Sequence, residues 1–332
     1  MARTYQKLVF EDTRAELVEA PLPQPGPGEL LVKAHCSLIS PGTERAALKR
    51  LWDDAEFRQN PGYALAGEVV EVGPDVEDYQ AGDRVISLAP HGSYALVSAE
   101  PWVTLKIPDG LSDSRATFVV LASVALHALR RAQLSLGESF AILGAGILGQ
   151  IAVQLAHIDG AGQVIVLDLA PNRLALARQY GAGTTINPKE EDAVQAVFIA
   201  TSGEGAGAVL EVTGNPQVIP LAFQLAANGG RIILTGALEE PVTLRFHEHF
   251  IRRELSLIAA FQPFNPTGEN LYWRWTQQAN RRLLLGWLAD GKLRVDEMLT
   301  HRFPASQAPE IYERIKAGDP DMLGVLLEWT EA

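Results

Sequence analysis

The chain has 332 residues, 47% of them hydrophobic, and its 28 Lys and Arg against 40 Asp and Glu give a formal net charge of −12. That length suits about two domains of roughly 100–200 residues. The acidic balance argues against a nucleic-acid partner, which selects basic faces. The single cysteine, Cys36, excludes an intramolecular disulfide and a cysteine-built zinc cage. There is no apolar run of about 18 residues to span a membrane, and the polar N-terminus lacks a signal-peptide core. A cytoplasmic location without membrane partners is expected.

The first ~120 residues predict short strands, read from apolar runs between Pro, Gly and Asp turns. The runs are Leu17–Glu19, Leu30–Ala34, Gly67–Val72 and Arg84–Leu88. The texture then changes. Ala116–Ala132 predicts a helix, Ser139–Leu143 a buried strand, and 149–158 a helix. A strand over 163–167, a helix over 172–180, a strand over 209–212 and a helix through Gln224 follow. Later strands are expected at 231–235 and 255–260. This alternation predicts an α/β fold, with a parallel sheet covered by helices on both faces. Asn270–Ala289 predicts one long amphipathic helix carrying Tyr272, Trp273, Trp275 and Trp287. The tail predicts a strand at 299–303 and a helix at 308–317.

One motif carries chemistry. Gly144-Ala145-Gly146-Ile147-Leu148-Gly149 follows a strand and opens a helix. The first glycine permits the tight turn, the second lets backbone amides approach a pyrophosphate, and the third lets helix and strand pack closely. Phosphates favour such a helix start because its N–H groups are free and its dipole is positive there. The next strand ends in Asp168, 19 residues past Gly149. A carboxylate there accepts ribose hydroxyls and repels a 2′-phosphate, which points to NAD, with NADP the alternative. Arg173 works against that preference, since its guanidinium can stack on adenine or hold a phosphate.

Further segments carry a resemblance. They are residues 21–33 (Pro-Leu-Pro-Gln-Pro-Gly-Pro-Gly-Glu-Leu-Leu-Val-Lys), Gly67–Gly73, Gly82-Asp83-Arg84-Val85, the glycine turn and Glu211-Val212-Thr213-Gly214. With them the chain resembles the medium-chain dehydrogenase/reductase superfamily over nearly its whole length. The resemblance implies a GroES-like β-rich catalytic domain over 1–122, a Rossmann doubly wound parallel sheet over 123–264, and a return to the catalytic domain over 265–332. It also implies a homodimer formed along the last nucleotide-domain strand, near Leu255–Ala259. Thr213 and Ser123 fall at cofactor-contacting positions, although a buried helix serine bonding its own backbone explains Ser123 equally well.

The departures from the family bear on mechanism. Zinc members carry Cys-Gly-Ser/Thr-Asp where this chain has Ser40-Pro41-Gly42-Thr43-Glu44. They carry Gly-His-Glu where it has Gly62-Tyr63-Ala64, and a Glu or Cys where it has Val119. The four-cysteine structural lobe is missing. The resemblance therefore implies no catalytic and no structural zinc. His247-x-His249 is the sole close histidine pair and has no third ligand at metal spacing. Ser40–Glu44, Pro61–Tyr63, Leu121–Ser123 with His127, and Thr300–Arg302 look like the branch that includes bacteriochlorophyllide a dehydrogenase.

Without zinc, a hydroxyl must handle the alcohol proton. Tyr63, at the metal-binding histidine's position, and Thr43, at the family's relay hydroxyl, are the candidates. Glu44 would orient Thr43 or pair with Arg45. Tyr63 can equally be a core wall, and Thr43 a cap for a helix beginning near Glu44. His247, Arg252, Arg253, Arg281 and Arg282 read as solvated charges or subunit contacts, or as receptors for an acidic substrate. The aromatic segment reads as core or as the wall of a large apolar site. The expectation is hydride transfer between NAD(H) and a secondary alcohol or ketone on a cyclic or bulky small molecule. The alternatives are an NADPH-dependent quinone or enone reductase, and a non-catalytic nucleotide-binding protein.

Overall fold

A computed structural model describes residues 3–51, 54–238, 241–269, 271 and 273–329. The chain divides into two compact units, Met1–Val120 with Pro266–Ala332, and Leu121–Asn265.

The first unit opens with the antiparallel hairpin β1 (Thr4–Glu11) and β2 (Arg14–Pro21). After it come β3 (Glu29–Leu38), α1 (Pro41–Leu48), α2 (Ala55–Gln59), β4 (Leu65–Val72), β5 (Arg84–Ser87), β6 (Tyr94–Ser98), β7 (Thr104–Lys106) and α3 (Asp113–Ala116). The division between the units falls within α4 (Phe118–Ala132). The second unit then runs through β8 (Ser139–Leu143), α5 (Ile147–Asp159), β9 (Gln163–Leu167), α6 (Pro171–Gln179), β10 (Thr184–Ile186) and α7 (Ala193–Ala200). It ends with β11 (Ala206–Glu211), α8 (Ile219–Leu225), β12 (Ala226–Leu234), α9 (Phe246–His249) and β13 (Ser256–Ala259). The chain returns to the first unit with α10 (Gln277–Ala289), β14 (Leu299–Pro304), α11 (Ala308–Ala317) and β15 (Gly324–Glu328).

In the first unit, a seven-stranded sheet runs β14-β15-β3-β4-β5-β7, with β6 also paired to β3. Its strands place alternate side chains on opposite faces. Leu30, Val32, Leu65, Val69 and Val85 enter one core with Ile311, Tyr312 and Ile315 of α11. Burying each such Leu or Ile stabilises the unit by roughly 1.5–3 kcal/mol.

In the second unit, six strands run β10-β9-β8-β11-β12-β13, and every pair is parallel. Strands covered on both faces read as continuous apolar runs, as Ala-Ile-Leu of β8 and Val-Ile-Val-Leu of β9 do. The order reverses at β8, whose neighbours are β9 and β11. That reversal opens a crevice at the strands' carboxyl ends, where such sheets bind ligands. The glycine turn leaves β8 there.

Several expectations are corrected. The expected helix over 116–132 is present as α4, which begins two residues later, at Phe118, behind the short α3. The expected helix over 270–289 starts at Gln277, because the Thr276 hydroxyl caps it by accepting from Ala279 N at 3.1 Å. Trp273 and Trp275 therefore precede the helix, with Trp273 Nε1 donating to Trp275 O at 2.8 Å. Asn270 and Tyr272 lie outside the described residues. β10 and α7, between 180 and 209, were not anticipated. Asp192 caps α7 by accepting from Val194 N and Gln195 N, and that Asp before an apolar run was the available signal. Arg281 is not a solvated charge: it is 3% exposed and donates to Trp102 O and to Gln277 Oε1. Arg253 donates to the carbonyls of Phe223 and Ala226. Among the described residues, no helix is long and apolar enough to cross a membrane.

Candidate active site

In the nucleotide unit, the three glycines have different surroundings. Gly144 adopts φ +104°, the left-handed region that only glycine enters without strain. A Cβ on Gly149 would lie 1.9 Å from Gly144 O, so α5 packs against the turn at backbone distance. A Cβ on Gly146 would meet nothing within 4 Å, so open space lies over the middle of the turn. Gly146 is the N-cap of α5 and provides no side-chain cap. The first N–H groups of the helix, including those of Ile147 and Leu148, thus have no intrahelical acceptor. This turn, with its open side and free amides, fits a dinucleotide pyrophosphate.

Asp168 follows β9 directly. Its carboxylate accepts from Ala145 N at 2.7 Å and from Ala170 N at 2.8 Å, which holds it against the glycine turn. Arg173 stands on α6, where its carbonyl accepts from Gln150 Nε2 at 2.8 Å. At the end of β11, fully buried Glu211 gathers Thr213 N (2.6 Å), the Thr213 hydroxyl and Gly214 N (3.1 Å) on one carboxylate oxygen. Burial pushes its carboxyl up, and the donors offset this only in part. Thr213 also packs over the turn, its Cγ2 standing 2.8 Å from where a Cβ on Gly144 would be. Ser123 is buried in α4.

In the first unit, Thr43 and Tyr63 come together with a residue the sequence did not single out, Ser40. The Tyr63 hydroxyl donates to Ser40 Oγ at 2.5 Å, Ser40 Oγ lies 3.4 Å from Thr43 Oγ1, and Thr43 Oγ1 lies 3.3 Å from Tyr63 OH. The three hydroxyls form a closed triangle. Burial pushes the Tyr63 phenol up to about 12, against the lowering effect of Ser40 and Thr43. It is therefore protonated at neutral pH and acts as a donor.

Local structure accounts for this triangle. Ser40 is the N-cap of α1 and Pro41 its first residue, where a missing N–H costs nothing. The helix begins at Pro41 rather than near Glu44, so Thr43 lies inside it and is not its cap. Glu44 is not a surface partner of Arg45 either. It is 0% exposed, and one carboxylate oxygen accepts from Ser40 N at 2.7 Å. Its other oxygen faces His91 Nε2 at 3.1 Å and accepts from the Tyr312 hydroxyl. Sequence spacing could not find the last two, since they lie 47 and 268 residues from Glu44.

Pro41, Tyr63 and Val119 bring no metal donor set together, Val119 being apolar and fully buried. Among the described residues, no group of three or more His, Cys, Asp or Glu could hold a metal ion. Cys36 is buried on β3, and desolvation pushes its thiol up to about 12. These residues do not fit zinc.

A parallel sheet whose first strand runs through a glycine turn into a helix, in one chain with a β-rich unit, is an architecture of pyridine-nucleotide dehydrogenases. Residues 26–106 match the alcohol dehydrogenase GroES-like domain, and residues 148–275 match the zinc-binding dehydrogenase family. The chain is 32% identical to the L-threonine 3-dehydrogenase of Pyrococcus horikoshii, over 92% of each chain. It is 28% identical to the D-guloside 3-dehydrogenase of Escherichia coli, over 76% of this chain and 72% of that protein. An Escherichia coli oxidoreductase/dehydrogenase of unknown specificity shares the fold, with a TM-score of 0.86 at 22% identity over 98% of this chain and 99% of that one. The chain belongs to the medium-chain dehydrogenase/reductase superfamily. It is an NAD(P)-dependent oxidoreductase of the alcohol dehydrogenase type, acting on CH–OH.

Proposed function

We propose that this enzyme works without zinc, prefers NAD(H), and interconverts a secondary alcohol and a ketone on a cyclic or bulky small molecule. The observation that carries the reading is the Ser40–Thr43–Tyr63 triangle, in which Tyr63 has the position that the resemblance gives to a metal-binding histidine and Thr43 that of the relay hydroxyl. The matched family is named for zinc, so the reading is a departure from it. The bound dinucleotide supplies or accepts the hydride. Gly144, Gly146, Ile147, Leu148 and Gly149 would hold its pyrophosphate, Asp168 and Arg173 its adenosine half, and Thr213 and Ser123 its nicotinamide side. In reduction, the Tyr63 O–H donates toward the carbonyl oxygen and stabilises the negative charge that develops there. The proton that Tyr63 gives up is replaced from solvent water by way of Ser40 and Thr43. In oxidation, the alcohol proton passes by the same hydroxyls to solvent water.

The two named relatives support a secondary alcohol, each being a 3-dehydrogenase, and the guloside relative supports a ring. Trp275, 48% exposed beside Trp273, offers apolar surface to a bulky substrate in the first unit. The L-threonine relatives favour a second reading, an open-chain amino-acid alcohol as substrate.

The test is an activity screen with NAD and NADP over sugar-ring alcohols, cyclic ketones, quinones and L-threonine, run beside elemental analysis. We expect turnover of ring alcohols with NAD and substoichiometric zinc. One zinc per chain would sink the metal-free reading, and turnover of L-threonine alone would replace the ring substrate. Quinone reduction with NADPH would select the reductase alternative. We propose as well a homodimer built on β13, the edge strand of the second sheet, on which Leu257 is 43% exposed.

A further inference from the structure

Behind the hydroxyl triangle lies a second set of polar groups that the proposed chemistry does not touch. Ser37, Glu44 and His91 are each at most 0% exposed, and Tyr312 and Trp329 are buried with them. Trp329 Nε1 donates to Ser37 Oγ at 2.8 Å. Ser37 Oγ lies 2.7 Å from His91 Nδ1, and His91 Nε2 lies 3.1 Å from Glu44 Oε2. Backbone crowding fixes the ring as well, since a Cβ on Gly62 would fall 2.4 Å from His91 Cδ2.

The donors in this set can be counted. An indole N–H only donates, so Ser37 Oγ must accept from Trp329. The Ser37 hydroxyl proton then needs an acceptor of its own, because a buried unpaired donor costs roughly 1–3 kcal/mol. His91 Nδ1 is the partner in reach. It can accept only if it carries no proton, which leaves the ring proton on Nε2, directed at Glu44. Glu44 Oε2 thus accepts from His91 and from Tyr312, and Glu44 Oε1 is left for Ser40 N at 2.7 Å. A helix N-terminus further favours a carboxylate in this place. Every donor has an acceptor only in this arrangement.

We propose that His91, held as its Nε2–H tautomer by Trp329 and Ser37, is a positioning residue for hydride transfer. It sets the Glu44 carboxylate against Ser40 and thereby fixes the hydroxyl triangle. His91 does not reach the reacting atoms and acts through Glu44. This inference rests on the reading that the triangle handles the proton.

Two measurements test it. The first labels the histidine nitrogens and needs no substrate, so it reports on the network whether or not the proposed reaction is right. The spectrum of His91 should show one imidazole N–H, on Nε2, at neutral pH. A proton on Nδ1 overturns the proposal, alone or with one on Nε2. In Trp329→Phe the ring is kept and the donor lost, and the single tautomer should give way to a mixture. An unchanged spectrum in that variant overturns the proposal too. The second measurement compares His91→Gln, which keeps an N–H toward Glu44, with His91→Leu, which only fills space. Folding is checked by melting and by NADH binding. His91→Leu should lose about 100-fold in kcat, as small misplacements of reacting groups do, with the KM for NADH unchanged. His91→Gln should recover most of that loss. Equal losses in the two variants, or no loss in either, overturn the positioning role.

Discussion

At the scale of single residues, the proposed proton-handling and cofactor-holding residues differ in how they can fail. Tyr63→Phe removes one hydroxyl from the triangle and leaves the ring in place. A general acid contributes typically about 10²–10⁴-fold, so kcat should fall within that range while the dissociation constant for NADH stays put. Steady-state kinetics beside a fluorescence titration would show this, and normal turnover would return Tyr63 to the role of a wall. Asp168→Ala should weaken NAD binding more than NADP binding, because a carboxylate favours free ribose hydroxyls over a phosphate. An unchanged preference would remove Asp168 from the ribose. The glycines, alike in the sequence, are not alike here. Gly149→Ala drives a methyl to 1.9 Å from a carbonyl oxygen, whereas Gly146→Ala meets nothing in the protein. Melting should therefore separate the two, with Gly149→Ala the unstable one. Gly146→Ala should fold normally and lose cofactor affinity instead.

At the scale of elements, α3 is tied to β3 and β5 through one carboxylate. Asp113 lies 2.7 Å from His35 Nδ1 and accepts from Arg84 Nε at 3.0 Å. The bond to Asp113 raises the His35 imidazole above its usual range, more than burial lowers it. Burial pushes Asp113 up, but His35 and Arg84 outweigh that and hold it below the usual carboxylate range. The histidine therefore stabilises the fold fully below its unfolded value near 6.5, and that stability is lost as pH rises through the higher folded value. For Asp113 the stability is present above its unfolded value and is lost as pH falls through the lower folded one. Chemical denaturation from pH 6 to 9 should show stability falling, and His35→Ala should flatten that fall; an equal slope in the variant would rule out the pair. Elements were also where the sequence was most legible. The parallel strands announced themselves as apolar runs, and the glycine turn as a motif between strand and helix. The start of α10 was missed because Trp273 and Trp275 continue the apolar texture past the Thr276 cap. The Glu44 network was missed because its partners come from four separate parts of the chain. Charge alone made Glu44, Arg253 and Arg281 look like surface, and only tertiary packing shows what each one meets.

At the scale of the whole molecule, the proposed dimer has a sharp test. Leu257→Lys puts a charge on the open edge of the sheet, a device that natural edges use to refuse partners. A sizing column should give twice the chain mass for the natural sequence and a shift toward the monomer for the variant. A natural chain that elutes as a monomer would remove the interface. The hydroxyl triangle has a wider consequence. Closed on itself, it leaves no donor idle, so under the proposed function a substrate oxygen would break into the ring to be bound, and its proton would move in concert with those of the hydroxyls around it. On the proposed chemistry, turnover in mixtures of light and heavy water should follow a bowed curve, the mark of several protons in flight, where transfer of a single proton would give a straight line.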